Sequence, residues 1–438
     1  MCITIPQAIK DFYEDYLPHI GIRKRNLLAF FTASIVTCPG KRTYTALGQA
    51  ILTEHRSKSS PQKFFSKKRF YSRNIHRTLI QTVVNEIIKK YGSLDNWVIL
   101  IDGTASRRGG FTKIENATKY RKKSRHTKGV SSKAHMFVMG VLIAPNGMRI
   151  PFTRYTYYTK KYCKKHGKKH MTQNQLAAKM VCELREYLPA GIKPVVVADS
   201  YFDSQIMFEI CRRNNMVFIT TADSDRNYIH HNGSSAKLHN RGKSKSRKDY
   251  RTFRIVPGQE KWTRPHSRCS NPKGKRKHVY RVTGETLNVS KLGDTRVVFS
   301  WKKKTGLKRS GRESFRVLLC SETSMSDGKI VELYALRWQV EIFFRELKSD
   351  IGLEDYCGRD FHAYERFVDM CLMSFLFLEW YRMEQINATG KRKESANLKV
   401  IRTRGMIRKI RMENMSVAKE YIRELKRGNR GPPLENAA

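Results

Sequence analysis

The stretch Tyr334-Ala-Leu-Arg337-Trp-Gln-Val-Glu341-Ile-Phe-Phe-Arg-Glu-Leu-Lys348 decides how this chain is read. Its polar residues Tyr334, Arg337, Glu341 and Lys348 stand at spacings 0, 3, 7 and 14. At about 100° per residue they fall within a stripe roughly 60° wide on an α-helix. Leu336, Val340, Phe343 and Leu347 fall on the opposite face. The apolar face fixes such a helix to a core. The other face offers one carboxylate among two cations and a phenol, a set suited to a metal ion beside a phosphodiester. Glu346, five residues after Glu341, lies about 140° away at the edge of the apolar face, so Glu341 is the preferred carboxylate.

Two upstream segments end in carboxylates. Trp97-Val-Ile-Leu-Ile precedes Asp102, and Pro194-Val-Val-Val-Ala precedes Asp199. Short continuous apolar runs suit buried strands, so both aspartates are expected at strand ends, where ligands gather in α/β sheets. Each alone would more often be a turn or cap residue. Three carboxylates brought together repel one another unless a cation lies between them. Mg²⁺, or Mn²⁺, suits oxygen ligands completed by water and phosphate. Two such ions ~3.5–4 Å apart can activate a hydroxyl and stabilise a leaving oxygen.

Charge points to the partner. Lys and Arg number 86 against 38 Asp and Glu, a formal net charge of +48, with a pI near 10.2. Double-stranded DNA, with one charge per ~1.7 Å of axis, calls for such a field. An anionic membrane is disfavoured, because the sequence has no run of ~18 apolar residues and no leading segment with the pattern of a signal peptide. The nine cysteines are scattered singly, against a zinc site or disulfide framework and for a reducing, cytoplasmic setting.

Along the chain, residues 1–93 read as an N-terminal helical, DNA-binding domain. Residues 94–227 read as the first part of a catalytic core, with a hairpin at Pro145-Asn146-Gly147 and helices at 172–187 and 204–214. Residues 228–322 read as an inserted antiparallel β-rich domain, with His239–Arg247 and Arg264–Lys277 as linkers. Residues 323–385 return to the core with the glutamate helix. Residues 386–438 form a basic C-terminal region whose tail is expected to be disordered. The order strand, hairpin, helix, strand, helix, strand and late helix is compatible with an α/β, ribonuclease H-like mixed sheet flanked by helices.

The block Tyr334-x2-Arg337-x3-Glu341-x6-Lys348 resembles the signature of DDE transposases of the insertion-sequence-four family. Trp338 fits many members. Ile-Asp102-Gly-Thr and Val-Ala-Asp199-Ser-Tyr-Phe resemble that family's first and second aspartate regions, although some members have arginine after the second aspartate. The resemblance spans roughly residues 95–385. It implies a ribonuclease H-like core and cut-and-paste movement of a DNA element. Asp102, Asp199 and Glu341 would ligate two divalent ions per site. Tyr334, Arg337 and Lys348 would hold DNA phosphates. It also implies a homodimer in the synaptic complex, terminal inverted repeats and target DNA as substrates, and a prokaryotic nucleoid as the setting.

Basic tracts at Arg107–Lys133 (with Arg107, Arg121, Lys122 and Lys123), Lys160–Lys169 and His239–Lys248 are expected as phosphate-contacting loops. Trp262, Trp301 and Trp338 are candidates for stacking an unpaired base, with packing in a sheet the competing role for the first two. The alternatives are a metal-dependent nuclease of the same fold and a non-catalytic basic DNA-binding protein.

Overall fold

A computed structural model describes residues 3–67, 70–92, 97–108, 114–121, 131–255, 278–303, 314–388 and 403–426. The fold is mixed α/β: helices pack around one mostly antiparallel, partly parallel sheet.

The amino-terminal segment forms α1 (Gln7–Tyr16), α2 (Ile22–Thr37), α3 (Tyr44–Gly48), α4 (Ser59–Ser66) and α5 (Ser72–Tyr91). On α5 the helical repeat Leu79, Val83 and Ile87 is buried, and Gly92 ends the helix at φ +77°, a left-handed value that favours glycine. The sheet strands are β1 (Val98–Arg108), β2 (Thr118–Arg121), β3 (Ser131–Ile143), β4 (Arg149–Pro151) and β5 (Tyr155–Thr156). Next come α6 (Lys160–Lys165), α7 (Gln173–Tyr187), β6 (Val195–Val197), α8 (Gln205–Arg213) and β7 (Val217–Thr221). Then follow β8 (Asn227–Ile229), β9 (Ser235–Lys237), α9 (Leu238–Ser244), β10 (Arg251–Ile255), β11 (His278–Val289), β12 (Gly293–Lys303) and β13 (Ser314–Cys320). The chain closes with α10 (Asp327–Ala335), α11 (Trp338–Ser349), α12 (Phe361–Ala388) and α13 (Thr403–Lys426).

The sheet runs β2-β3-β1-β6-β7-β13-β12-β11-β8-β9, with β10 beside β11 and β4 and β5 beside β3. β1 pairs antiparallel with β3 from Val98↔Ile143 to Arg108↔Lys133, and the turn beyond it is closed by Gly147 at φ +84°. β6 is parallel to both β1 and β7. β13 is antiparallel to β7, so the strands after residue 227 extend the same sheet rather than forming a separate one.

α12 is the axis of the helical layer. Leu372, Phe375, Leu376 and Phe377 are all fully buried, as expected of a helix that is apolar on every side. α1, α2, α4, α5, α11, α13 and β4 all pack on it. Its buried charges are paired. Arg149 of β4 donates to Glu346 of α11 at 2.8 Å and to Glu379 of α12 at 2.5 Å, and Arg382 donates to Glu379 at 2.7 Å. Arg154 bonds Glu365 and Asp369, each at 3.1 Å. Buried charges persist only when paired in this way.

Several expectations change. The 239–247 linker is mostly helix α9, and the 160–169 tract begins as helix α6. Ser204 precedes α8 but its side chain does not cap it; the hydroxyl donates to the Phe202 carbonyl. The carboxyl-terminal region contributes α13, whose Met406, Ile407 and Ile410 are buried. The 264–277 linker and the tail beyond 426 lie outside the described residues. Among the described residues no helix is long and apolar enough to cross a membrane.

Two stability predictions follow from the buried pairs. Replacing Arg149 with Met removes the cation that joins Glu346 to Glu379. Among the described residues Glu346 then has no cation and Glu379 keeps Arg382 alone, so the change should cost about 3 kcal/mol in urea unfolding, whereas Lys165→Met, at an exposed pair with Glu115, should cost no more than about 1 kcal/mol. The second concerns acid. Burial alone would raise Glu379, but Arg149 and Arg382 outweigh it and hold it at about 2. A carboxylate depressed in the folded state stabilises above its unfolded value of 4.5, and that contribution disappears as pH falls toward 2. Unfolding free energy should therefore decline across this window, and Glu379→Gln should flatten the decline.

Candidate active site

The site lies where two parallel strands part. β1 and β6 pair through Val98↔Val195, Ile99↔Val196 and Leu100↔Val197. Asp102 and Asp199 each stand two residues beyond the last pair, in equivalent register. There β6 leaves the sheet: Asp199 caps a 3₁₀ turn over Ser200–Phe202, its Oδ1 accepting from the Tyr201 amide at 3.0 Å. Thr220 of β7 steadies the same residue by donating to the Asp199 carbonyl at 2.8 Å. Asp102 is not at a strand end, as its apolar run suggests. β1 continues to Arg108 because β3 supplies partners for the polar residues that follow. The Asp102 Oδ1 accepts from the Gly103 amide at 2.7 Å.

α11 lies along β1. Arg337 reaches Glu341 Oε1 at 2.5 Å and lies 3.8 Å from Asp102 Oδ2. One residue before its carboxyl end, Lys348 donates to the Ala105 carbonyl at 2.7 Å and lies 4.0 Å from Glu354. Lys348 thus ties helix to strand. The four-residue stripe is not carried by one uninterrupted helix. Leu336 and Arg337 separate α10 from α11, and the chain there switches to i→i+3 bonds, Arg337 to Tyr334 and Val340 to Arg337. Both linking residues keep right-handed dihedrals, so Tyr334 remains near the site. Tyr334 is buried, however, and its hydroxyl lies 3.2 Å from that of Thr221.

The carboxylates act on each other. Burial and the Asp199 charge push Asp102 up to about 7; the Gly103 amide and Arg337 oppose this, and Glu341 adds to it. A cation among the three would relieve that cost. The donor chemistry fits a hard divalent ion. In this arrangement, though, no three His, Cys, Asp or Glu side chains among the described residues are gathered closely enough to hold one ion. Glu346 belongs elsewhere: it faces the interior and binds Arg149.

Beside Asp199 opens a pocket of about 280 Å³ that sequence reasoning did not find. Tyr334 and Arg337 line it, as do His239 of α9 and Phe315 and Arg316 of β13. Phe315 and Arg316 carry no local motif, and the pairing of β13 with β7 brings them to Asp199; His239, first residue of the basic tract expected to contact phosphate, arrives on α9, which packs on β13. A close contact joins the added strands to the helix pair: a Cβ at Gly284 would clash with Asp327 Oδ1, and Arg296 bonds that same oxygen at 2.7 Å.

The remaining candidates divide. Trp338 is 57% exposed on the first turn of α11. Trp301 packs against Phe315 with ring centroids 4.7 Å apart. Arg107 is exposed, while its neighbour Arg108 is buried between Tyr356 and Tyr364 and donates to the Tyr356 carbonyl at 2.6 Å. Arg121 ends β2, opposite Ser131. Lys122, Lys123 and Trp262 lie outside the described residues.

Comparison with curated proteins finds no match. A family model described as the transposase DDE domain matches residues 93–377, a span that holds Asp102, Asp199 and Glu341 together with β1–β13 and α11. The chain belongs to the transposase DDE domain family.

Proposed function

We propose that this transposase cleaves the ends of a mobile DNA element and joins the freed 3′-hydroxyls to target DNA, using Asp102, Asp199 and Glu341 to hold two Mg²⁺ or Mn²⁺ ions. Transposase DDE domains generally use divalent metal ions. One observation carries the assignment: Asp102 and Asp199 stand in matching register at the point where β1 and β6 part, with the helix of Glu341 fastened to the same strand. The strand order also supports a ribonuclease H-like reading. β4 and β5 flank β3, then come β1, β6 and β7, with only the last three mutually parallel. The residues after β7 form the β-rich insertion, and the 1–93 helices serve terminal-repeat recognition. The spacing of Tyr334, Arg337, Glu341 and Lys348 favours the insertion-sequence-four group.

Bound divalent ions would supply a lowered pKa for the attacking water or hydroxyl and charge stabilisation for the leaving oxygen. The chain's own residues do the rest. Asp102 and Asp199, each with one oxygen on a backbone amide, present carboxylates from a rigid sheet. Glu341 supplies the third from α11. Arg337 and Arg316 line the pocket beside Asp199 and provide planar cations for phosphodiester oxygens. Tyr334 and Phe315 close that pocket with aromatic surface, and exposed Trp338 offers a face for an unpaired base. Lys348, engaged with Ala105, positions α11 and adds positive charge near the strand. Arg107, Arg121, Lys122 and Lys123 are assigned to the DNA backbone, where contacts position without reading sequence. Two element ends joined in one reaction call for a homodimer in the synaptic complex.

The test uses the full chain with duplexes bearing an element end, intact or precut, in Mg²⁺. Cleavage and joined products are expected from the wild type. Glu341→Gln should lower both by on the order of 10³-fold while the protein still binds the duplex and keeps its thermal midpoint. Hydrolysis of intact ends with no joining of precut ends would favour a nuclease instead. Cleavage undiminished in Glu341→Gln would remove the triad.

A further inference from the structure

Arg337 occupies the position where the carboxylates need a cation. Its guanidinium holds Glu341 at 2.5 Å, lies 3.8 Å from Asp102, and lines the pocket that Asp199 also lines. Its side chain is only 16% exposed, so little solvent competes for these contacts. A guanidinium and a divalent ion cannot share the same carboxylate oxygens without strong like-charge repulsion at such separations. Among the described residues no three carboxylates gather on one point, and one of the three, Glu341, is held by this guanidinium.

We propose that Arg337 is a resident counter-ion that makes divalent-metal binding depend on DNA. It stands at the joint between α10 and α11, and Arg316 and His239 line the same pocket. A phosphodiester drawn into that pocket offers the guanidinium a planar two-oxygen partner. Arg337 then exchanges Glu341 for phosphate, and Glu341 becomes available to metal together with Asp102 and Asp199. Coupling of this kind is reciprocal: whatever DNA adds to metal affinity, metal adds to DNA affinity. The inference rests on the proposed assignment of the three carboxylates as metal ligands, and goes beyond it by giving Arg337 a role before DNA arrives.

Mn²⁺ affinity of the full chain, followed by the electron paramagnetic resonance signal of free Mn²⁺, tests this without catalysis. The DNA is a precut duplex ending in a dideoxynucleotide, which cannot be joined. DNA should tighten Mn²⁺ binding to the wild type by about ten- to a hundredfold. Arg337→Gln should bind Mn²⁺ without DNA about tenfold more tightly than the wild type does without DNA, and DNA should then add less than it adds to the wild type. Arg337→Lys, which keeps the charge but loses the two-pronged grip, should fall between and guards against a folding defect in the first variant. Arg337→Gln binding no tighter than wild type without DNA, in a folded protein, overturns the proposal. Asp199→Asn separates the two levels. If it loses Mn²⁺ binding while Arg337→Gln changes nothing, the counter-ion role fails and the site stands; if it binds Mn²⁺ like the wild type, the site assignment fails as well.

Discussion

The parting of β6 from β1 after Val197 and Leu100 is the constraint from which the site follows. Up to that point the two strands satisfy each other's backbone. Beyond it, Asp199 turns its carboxylate onto its own 3₁₀ turn, while β1 runs on with β3 alone. Two acidic side chains are left side by side in a partly buried cleft. Their repulsion is visible in Asp102, which burial and Asp199 push up to about 7. A protein keeps such a liability only where a cation or a reaction uses it.

α11 divides fold from chemistry over a few residues. Glu346 faces inward and joins Arg149, which also holds Glu379 of α12. Glu341 faces the strands and meets Arg337. The inner network therefore fixes the helix so that the outer face can carry an unsatisfied function. The added strands are fastened to the same helix pair at Gly284, Asp327 and Arg296, so His239, Phe315 and Arg316 stand beside Asp199 as part of one sheet.

Much of the site was legible because each carboxylate carries a local mark. Asp102 and Asp199 end apolar runs, and Glu341 belongs to a polar stripe whose apolar counterpart is buried at Val340, Phe343 and Leu347 and half-buried at Leu336. The illegible parts depend on distant partners. Gly103-Thr-Ala-Ser-Arg-Arg reads as a loop, yet β3 makes it strand. Leu336 and Arg337 are good helix formers, so nothing local announces a break there. α13 becomes a helix of the core through contacts made far away in the chain, among them Arg411 with the Cys38 carbonyl and Tyr381 with Glu413. The pocket walls come from β13, a segment with no motif of its own, and from α9, marked only by its basic tract.

The central claim is that Asp102, Asp199 and Glu341 meet on divalent ions next to a DNA strand. Anomalous diffraction from Mn²⁺ in crystals of the protein bound to an element end tests it most directly. The account predicts manganese peaks bridging these three carboxylates and a phosphate, with metal–oxygen distances of about 2 Å. Peaks confined to other residues, or a Glu341 carboxylate still paired with Arg337 in the DNA-bound, metal-loaded complex, would contradict it.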